Sequence, residues 1–197
     1  MVAEIRARGQ RHDRWISWVI IVLVVVALVL GWVVKSAAEN RTTLFDAGGI
    51  SLRYPAGWVR STDVQLPILL QVSDNLVQPF RTTLTLQRRP LPPDATSPLA
   101  AIQQNLALER ARAWTAYRVL QTEEPASVEG RTGMHVTFAY VEANRNPFLE
   151  TMPVVMHGED YLFAVGGDGY VVTVTAAEPN YAQAQKALHA LVRYLPK

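Results

Sequence analysis

Hydrophobic and polar positions follow three different rhythms along this chain. The first is unbroken: Trp15 to Val34 reads WISWVIIVLVVVALVLGWVV, twenty positions without a charge and with Ser17 as the one clearly polar residue. At ~1.5 Å per residue such a helix spans about 30 Å, the thickness of a bilayer's hydrocarbon core. Trp15 and Trp18 mark one end and Trp32 the other, where indoles settle at headgroup level. A soluble core helix of this length keeps a polar face. A cleaved signal peptide has an apolar run of only about 7–15 residues, and here Lys35 also separates the run from Ser36-Ala37-Ala38. The pattern predicts an uncleaved transmembrane helix over 15–34, a basic tail over 1–14 before it and a polar connector over 35–44 after it.

From residue 45 to 197 the rhythm changes to period two, the mark of half-buried strands. Ile50, Leu52 and Tyr54 alternate with Ser51 and Arg53, Leu66–Val72 is a second candidate, and Phe80, Thr82, Leu84 and Leu86 alternate with Arg81, Thr83, Thr85 and Gln87. Later come Met134–Tyr140, Leu149–Met156, and Tyr161–Val165 with Tyr170–Ala176 around the glycine turn Gly166-Gly-Asp-Gly169. Two segments follow the third rhythm, of three and four. Ser97 caps a helix with Pro98 at its first position and a stripe of Leu99, Ile102, Leu106 and Ala113, interrupted by Glu109. Asn180 and Gln183 open another, with Tyr181, Ala184, Leu188, Leu191 and Leu195 on one face. The expected fold class is α+β: one mainly antiparallel sheet of six or seven strands flanked by two helices, an α/β/α sandwich.

Charge sharpens this picture. Before the apolar run stand Arg6, Arg8, Arg11 and Arg14 against Glu4 and Asp13; after it the remaining 15 basic and 15 acidic residues cancel. The overall +2 therefore belongs to the tail and not to a basic face. A nucleic-acid reader needs a positive stripe, so that class is set aside. The arginine bias places the N-terminus in the cytoplasm and the domain outside the inner membrane. With no cysteine, disulfides, zinc–thiolate sites and thiol nucleophiles are excluded together.

The segment Gly49-Ile-Ser-Leu-Arg-Tyr-Pro-Ala-Gly-Trp58 resembles the opening strand and YP-x-GW corner of PsbP-like domains. The hairpin, the strand Tyr170-Val-Val-Thr-Val-Thr-Ala-Ala-Glu178 and the terminal helix resemble that family's ending. The resemblance covers residues 45–195 and implies a central antiparallel sheet between helices. It also implies a non-catalytic accessory role in a photosynthetic membrane assembly or, as for many bacterial relatives, an envelope location. The family's namesakes are soluble and lumenal, whereas this chain carries its own apolar segment. The corner has its own physical reading: Tyr54 ends a strand, Pro55 stops the ladder, Gly57 permits an unusual backbone angle and Trp58 folds back over the core.

Candidate chemistry is sparse. His12 lies in the tail and His189 on the solvent side of the last helix. His135 and His157 sit on or beside separate strands, and His157 with Glu159 or Asp160 lacks the spacing of a metal site. The adjacent pairs Glu123-Glu124 and Glu159-Asp160 read as solvated turn charges, not as carboxylates converging across a cleft. No nucleophile elbow or phosphate loop occurs. The sequence therefore predicts no catalytic residue, cofactor or metal, and no small-molecule substrate. Its expected partners are the bilayer and other subunits of an integral membrane complex, through Trp15, Trp18, Gly31 and Trp32 on the helix and the four arginines of the tail. The alternative is a solitary anchored envelope module that binds a small ligand or peptide, marked by an apolar cavity beneath the Trp58 corner. An enzyme would require His135, His157 and Asp160 to converge.

Overall fold

The structure is a computed structural model, and it describes residues 2–39, 41–47, 50–128, 130–143 and 152–193. The chain divides into two compact units, Met1–Arg41 and Thr42–Lys197.

The first unit is one helix, α1 (Val2–Glu39). Residues 1–14, expected as a separate tail, belong to this helix from Val2 onward, because Ala, Glu, Gln and Arg favour helix and only Gly9 opposes it. Within α1, Trp18–Ala37 is long and apolar enough to cross a membrane, with a mean hydropathy of 2.8 and no buried residue. The apolar window thus lies about one turn C-terminal to the span expected from the sequence.

The second unit opens with β1 (Thr42–Ala47), which pairs antiparallel with β2 (Ile50–Pro55) as a two-stranded ribbon. The expected connector over 35–44 does not exist as such: it is helical to Glu39 and is strand from Thr42. The other strands are β3 (Val59–Arg60), β4 (Ile68–Ser73), β5 (Thr83–Pro90), β6 (Thr115–Val128), β7 (Arg131–Glu142), β8 (Val154–Val165) and β9 (Asp168–Ala177). They form one antiparallel sheet of seven strands in the order β3-β4-β5-β9-β8-β7-β6. Helix α2 (Pro98–Ala113) follows β5, and α3 (Tyr181–Arg193) follows β9 through a single 3₁₀ turn, Glu178–Asn180. Leu195 lies outside the described residues.

Alternation along the strands sorts the core into two faces. Leu70, Val72, Leu84, Leu86, Tyr161, Phe163, Val172 and Val174 join Ala184, Leu188 and Leu191 of α3 and Ile50 and Leu52 of β2 in one cluster. On the other face Ile102 and Leu106 of α2 meet Met134, Val136, Leu162 and Val171. Phe80, Phe138, Tyr140 and Met156 continue that face. The last two strands turn through Gly166 (φ 58°) and Gly167 (φ 89°), a two-residue hairpin in which both positions need left-handed backbone.

Several sequence expectations change here. Leu149–Met156 and Tyr161–Val165 are not two strands. Val154–Val165 is one, and the 149–151 portion lies outside the described residues. Strand β6 carries no alternation because nearly all of it is exposed at the sheet edge, with three register shifts and a left-handed Ala116 (φ 54°) beside the first. Bulges of this kind blunt an edge against further pairing. Gly57 takes no left-handed φ, and an added Cβ there would touch nothing within 4 Å. The corner is instead an ordinary tight turn in which the Trp58 N–H donates to the Pro55 carbonyl at 3.0 Å. Tyr54 and Trp58 are both buried, at 8% exposure.

Candidate functional site

Glu159 and Asp160 are consecutive residues in the middle of β8, so the pleat sends their side chains to opposite faces. They are 2% and 1% exposed, not solvated turn charges. Each is the centre of a polar cluster that fastens one helix to the sheet.

On the α3 face, Glu159 Oε1 accepts hydrogen bonds from the Tyr181 hydroxyl and from Gln185 Nε2, both at 2.5 Å. Tyr181 and Gln185 are four residues apart on α3 and so share a helix face. Glu159 Oε2 lies 3.4 Å from His135 Nε2, and His135 Nδ1 lies 4.0 Å from Glu123 Oε2. Register explains the last contact, since Glu123 of β6 is directly opposite His135 of β7. Burial works to raise the Glu159 pKa, but hydrogen bonds from His135, Tyr181 and Gln185 outweigh it and hold the carboxyl at about 2. The bond to Glu159 lifts the His135 pKa above its ordinary value against partial burial, and the charges of Glu159, Glu123 and Asp160 add to the lift. Burial and donation to Glu159 push the Tyr181 phenol up.

On the α2 face, Arg110 clasps Asp160 with both terminal nitrogens: Nη1 donates to Oδ2, and Nη2 lies 2.8 Å from Oδ1. Nη2 also donates to Thr173 Oγ1 at 3.0 Å, and that hydroxyl donates to Asp160 Oδ1 at 2.6 Å. The guanidinium lies 4.4 Å from the Phe138 ring centroid and 5.1 Å from that of Trp114, which stacks on Tyr140 at 4.3 Å. Burial opposes the charge on Arg110, but Asp160 overcomes this and raises the pKa. Burial raises Tyr117 and brings Tyr140 up to about 12.

The three groups whose convergence would mark an enzyme do not meet. His135 and Asp160 are on opposite faces, and the His157 Nε2 is 2.6 Å from Glu178 Oε2. Among the described residues no three His, Asp or Glu side chains converge to hold a metal. An open depression on the exposed side of α3 is lined by Ala182, Gln185, Lys186, His189, Ala190 and Arg193. Glu123 and Glu124 stand on the exposed edge strand, where Glu124 accepts from Ser97 Oγ at 2.9 Å. Trp15, Trp18 and Trp32 project from α1 at 69%, 67% and 70% exposure, a Cβ added at Gly31 would meet no side chain within 4 Å, and Arg6, Arg8, Arg11 and Arg14 belong to the same helix. Sequence reasoning missed Arg110. Its signal was present, because Ile102, Leu106 and Arg110 repeat at steps of four, and all three are buried.

The α3 fastener has a pH signature. A histidine with a raised folded pKa contributes stability that is complete below its unfolded value near ~6.5 and is lost as pH rises through the folded value. Glu159 contributes above its unfolded value near ~4.5, and that contribution is lost as pH falls toward about 2. The cluster is therefore strongest between about pH 4.5 and 6.5. His135→Gln is expected to remove ~1 kcal/mol at pH 5.5 and less above pH 8, read from denaturant midpoints at both values. An equal loss at both would show that the charge on His135 contributes nothing.

No protein-family model matches the sequence, and no curated protein matches it. Solved structures do. The Ran-binding protein Mog1p of Saccharomyces cerevisiae aligns with a TM-score of 0.51 at 15% identity, over 79% of this chain and 95% of its own. Cyanobacterial PsbP (CyanoP) of Synechocystis sp. PCC 6803 aligns with a TM-score of 0.51 at 10% identity, over 79% and 91%. LpqN of Mycobacterium tuberculosis, a protein involved in cell envelope biogenesis, aligns at 0.46 and 10% identity, over 77% and 87%. At these identities the likeness is one of fold. The chain has the α+β fold shared by Mog1 and PsbP.

Proposed function

We propose that this protein is a membrane-anchored, non-catalytic accessory subunit of a larger bacterial membrane complex, of the kind that carries out photosynthetic or respiratory electron transfer. The observation that carries the reading is α1: its apolar window Trp18–Ala37 has no charged residue except Lys35, and none of its residues is buried. An apolar helix of this length is stable only in lipid or against other helices. The two polar clusters support the non-catalytic part, since the Glu159 and Asp160 carboxylates are engaged in fastening helices to the sheet. The fold shared with a cyanobacterial PsbP protein is compatible with this reading. In this reading the N-terminus is cytoplasmic and the domain extracytoplasmic, following the arginine bias.

Replacing residues 15–34 with an unrelated apolar helix is expected to leave the protein in the membrane fraction while lowering its co-purification with a multi-subunit complex. Packing between membrane helices depends on van der Waals fit, which an unrelated sequence lacks. Native gels of membranes solubilised in the mildest detergents, followed by mass spectrometry, provide the readout. Migration of the wild-type protein as a free monomer would overturn the subunit reading and favour the solitary envelope module.

A further inference from the structure

We infer that one end of the globular domain rests on the lipid surface, with Leu76 and Met152 as apolar tips in the interfacial layer. The inference builds on the reading of α1 as a membrane anchor. It begins with which end of the sheet the tether reaches. Thr42, the first residue of the domain, pairs with Pro55, and Pro55 leads through its tight turn to Val59, the partner of Ser73. Ser73 pairs with Thr83, Thr83 with Thr175 and Thr175 with Gly158. The tether therefore joins the domain at the end where β4 finishes and β8 begins.

The loops at that end carry the two most exposed large apolar side chains of the domain among the described residues, Leu76 just past β4 (90%) and Met152 just before β8 (83%). Val59 and Val155, at 52% and 49%, add apolar surface at the same end. Covalent reach holds this end near the bilayer: five residue steps separate Ala37 from Thr42, at most about 18 Å of chain. The headgroup layer itself occupies about 5–8 Å of that on each side of the hydrocarbon core. Exposed charges here are of both signs, Arg81 and Arg112 against Glu142 and Glu178, so no electrostatic attraction to anionic lipid is needed. Isolated apolar side chains at a wet surface need no explanation in general, but two at the tethered end of the same sheet match an interfacial contact.

The chain has no cysteine, so single thiols are simply introduced in the full-length protein. Leu76→Cys, Met152→Cys, Leu66→Cys and Leu23→Cys would each be labelled with the environment-sensitive fluorophore NBD and reconstituted into phosphatidylcholine vesicles. Leu66 is 81% exposed but precedes β4, at the far end of that strand from Leu76, and serves as the control. Leu23 reports the anchor itself. With doxyl groups high on the lipid chains, labels at 76 and 152 are expected to lose fluorescence and shift to the blue, while the label at 66 does neither. Doxyl groups deep in the chains should quench the label at 23. Quenching at 23 with 76 and 152 behaving like 66 would overturn the surface contact and leave the anchor intact. No quenching at 23 would overturn the anchor, and the surface contact with it.

Discussion

Asp160→Ala is expected to destabilise the domain by about 3–5 kcal/mol, because it leaves the Arg110 guanidinium buried without its counter-charge. Arg110 is 6% exposed, and among the described residues Asp160 is the carboxylate it bonds. The single loss also strands the Thr173 hydroxyl, which then has one partner where it had two. The double variant Arg110→Met with Asp160→Leu is expected to recover most of the loss, since two apolar side chains of similar size carry no desolvation penalty. Surroundings favour that outcome, as Phe138, Trp114 and Tyr140 already line the site. Phe138 is itself locked in place: its cross-strand partner is Gly158, where an added Cβ would fall 2.1 Å from the Phe138 Cζ. Denaturant unfolding of the full-length protein in detergent, followed by circular dichroism, reads both variants. A loss under about 1 kcal/mol for Asp160→Ala would mean that water reaches the pair and that α2 is held by apolar contacts alone.

Trp58→Ala is expected to cost about 3–5 kcal/mol, the range for deleting a large aromatic side chain from a core. Trp58 is 8% exposed in the cluster that also contains Phe45, Tyr54, Leu70 and Val72. It stands where the β1–β2 ribbon turns into the main sheet, so the cavity would open at the joint between them. Trp114 remains as the domain's other indole and reports unfolding by fluorescence. Trp58→Phe, which keeps most of the volume, is expected to recover much of the loss. A change under about 1 kcal/mol on Trp58→Ala would show the ring to be solvated and would make the corner a candidate binding surface.

The two helices that pack on the sheet and the strands whose two faces differ were legible in the sequence. Ile50–Tyr54, Leu84–Leu86 and Met134–Tyr140 alternate because one side of each is buried, and that asymmetry is written into residue type. The apolar run of α1 needed no tertiary information either, since length and composition alone set it apart. Edge and centre of the sheet were not legible. Strand β6 is exposed on nearly every residue and so has no alternation to read. The middle of β8, His157-Gly-Glu-Asp160, looked like a turn because glycine and two acids are loop residues by composition. Those acids tolerate burial only because Tyr181, Gln185 and His135 on one face, and Arg110 and Thr173 on the other, supply the missing hydrogen bonds. These donors come from residues 13 to 50 positions away in the chain, or in β7 and α3. A local pattern carries no record of such distant partners, so the tertiary structure alone decided that Glu159 and Asp160 would be core.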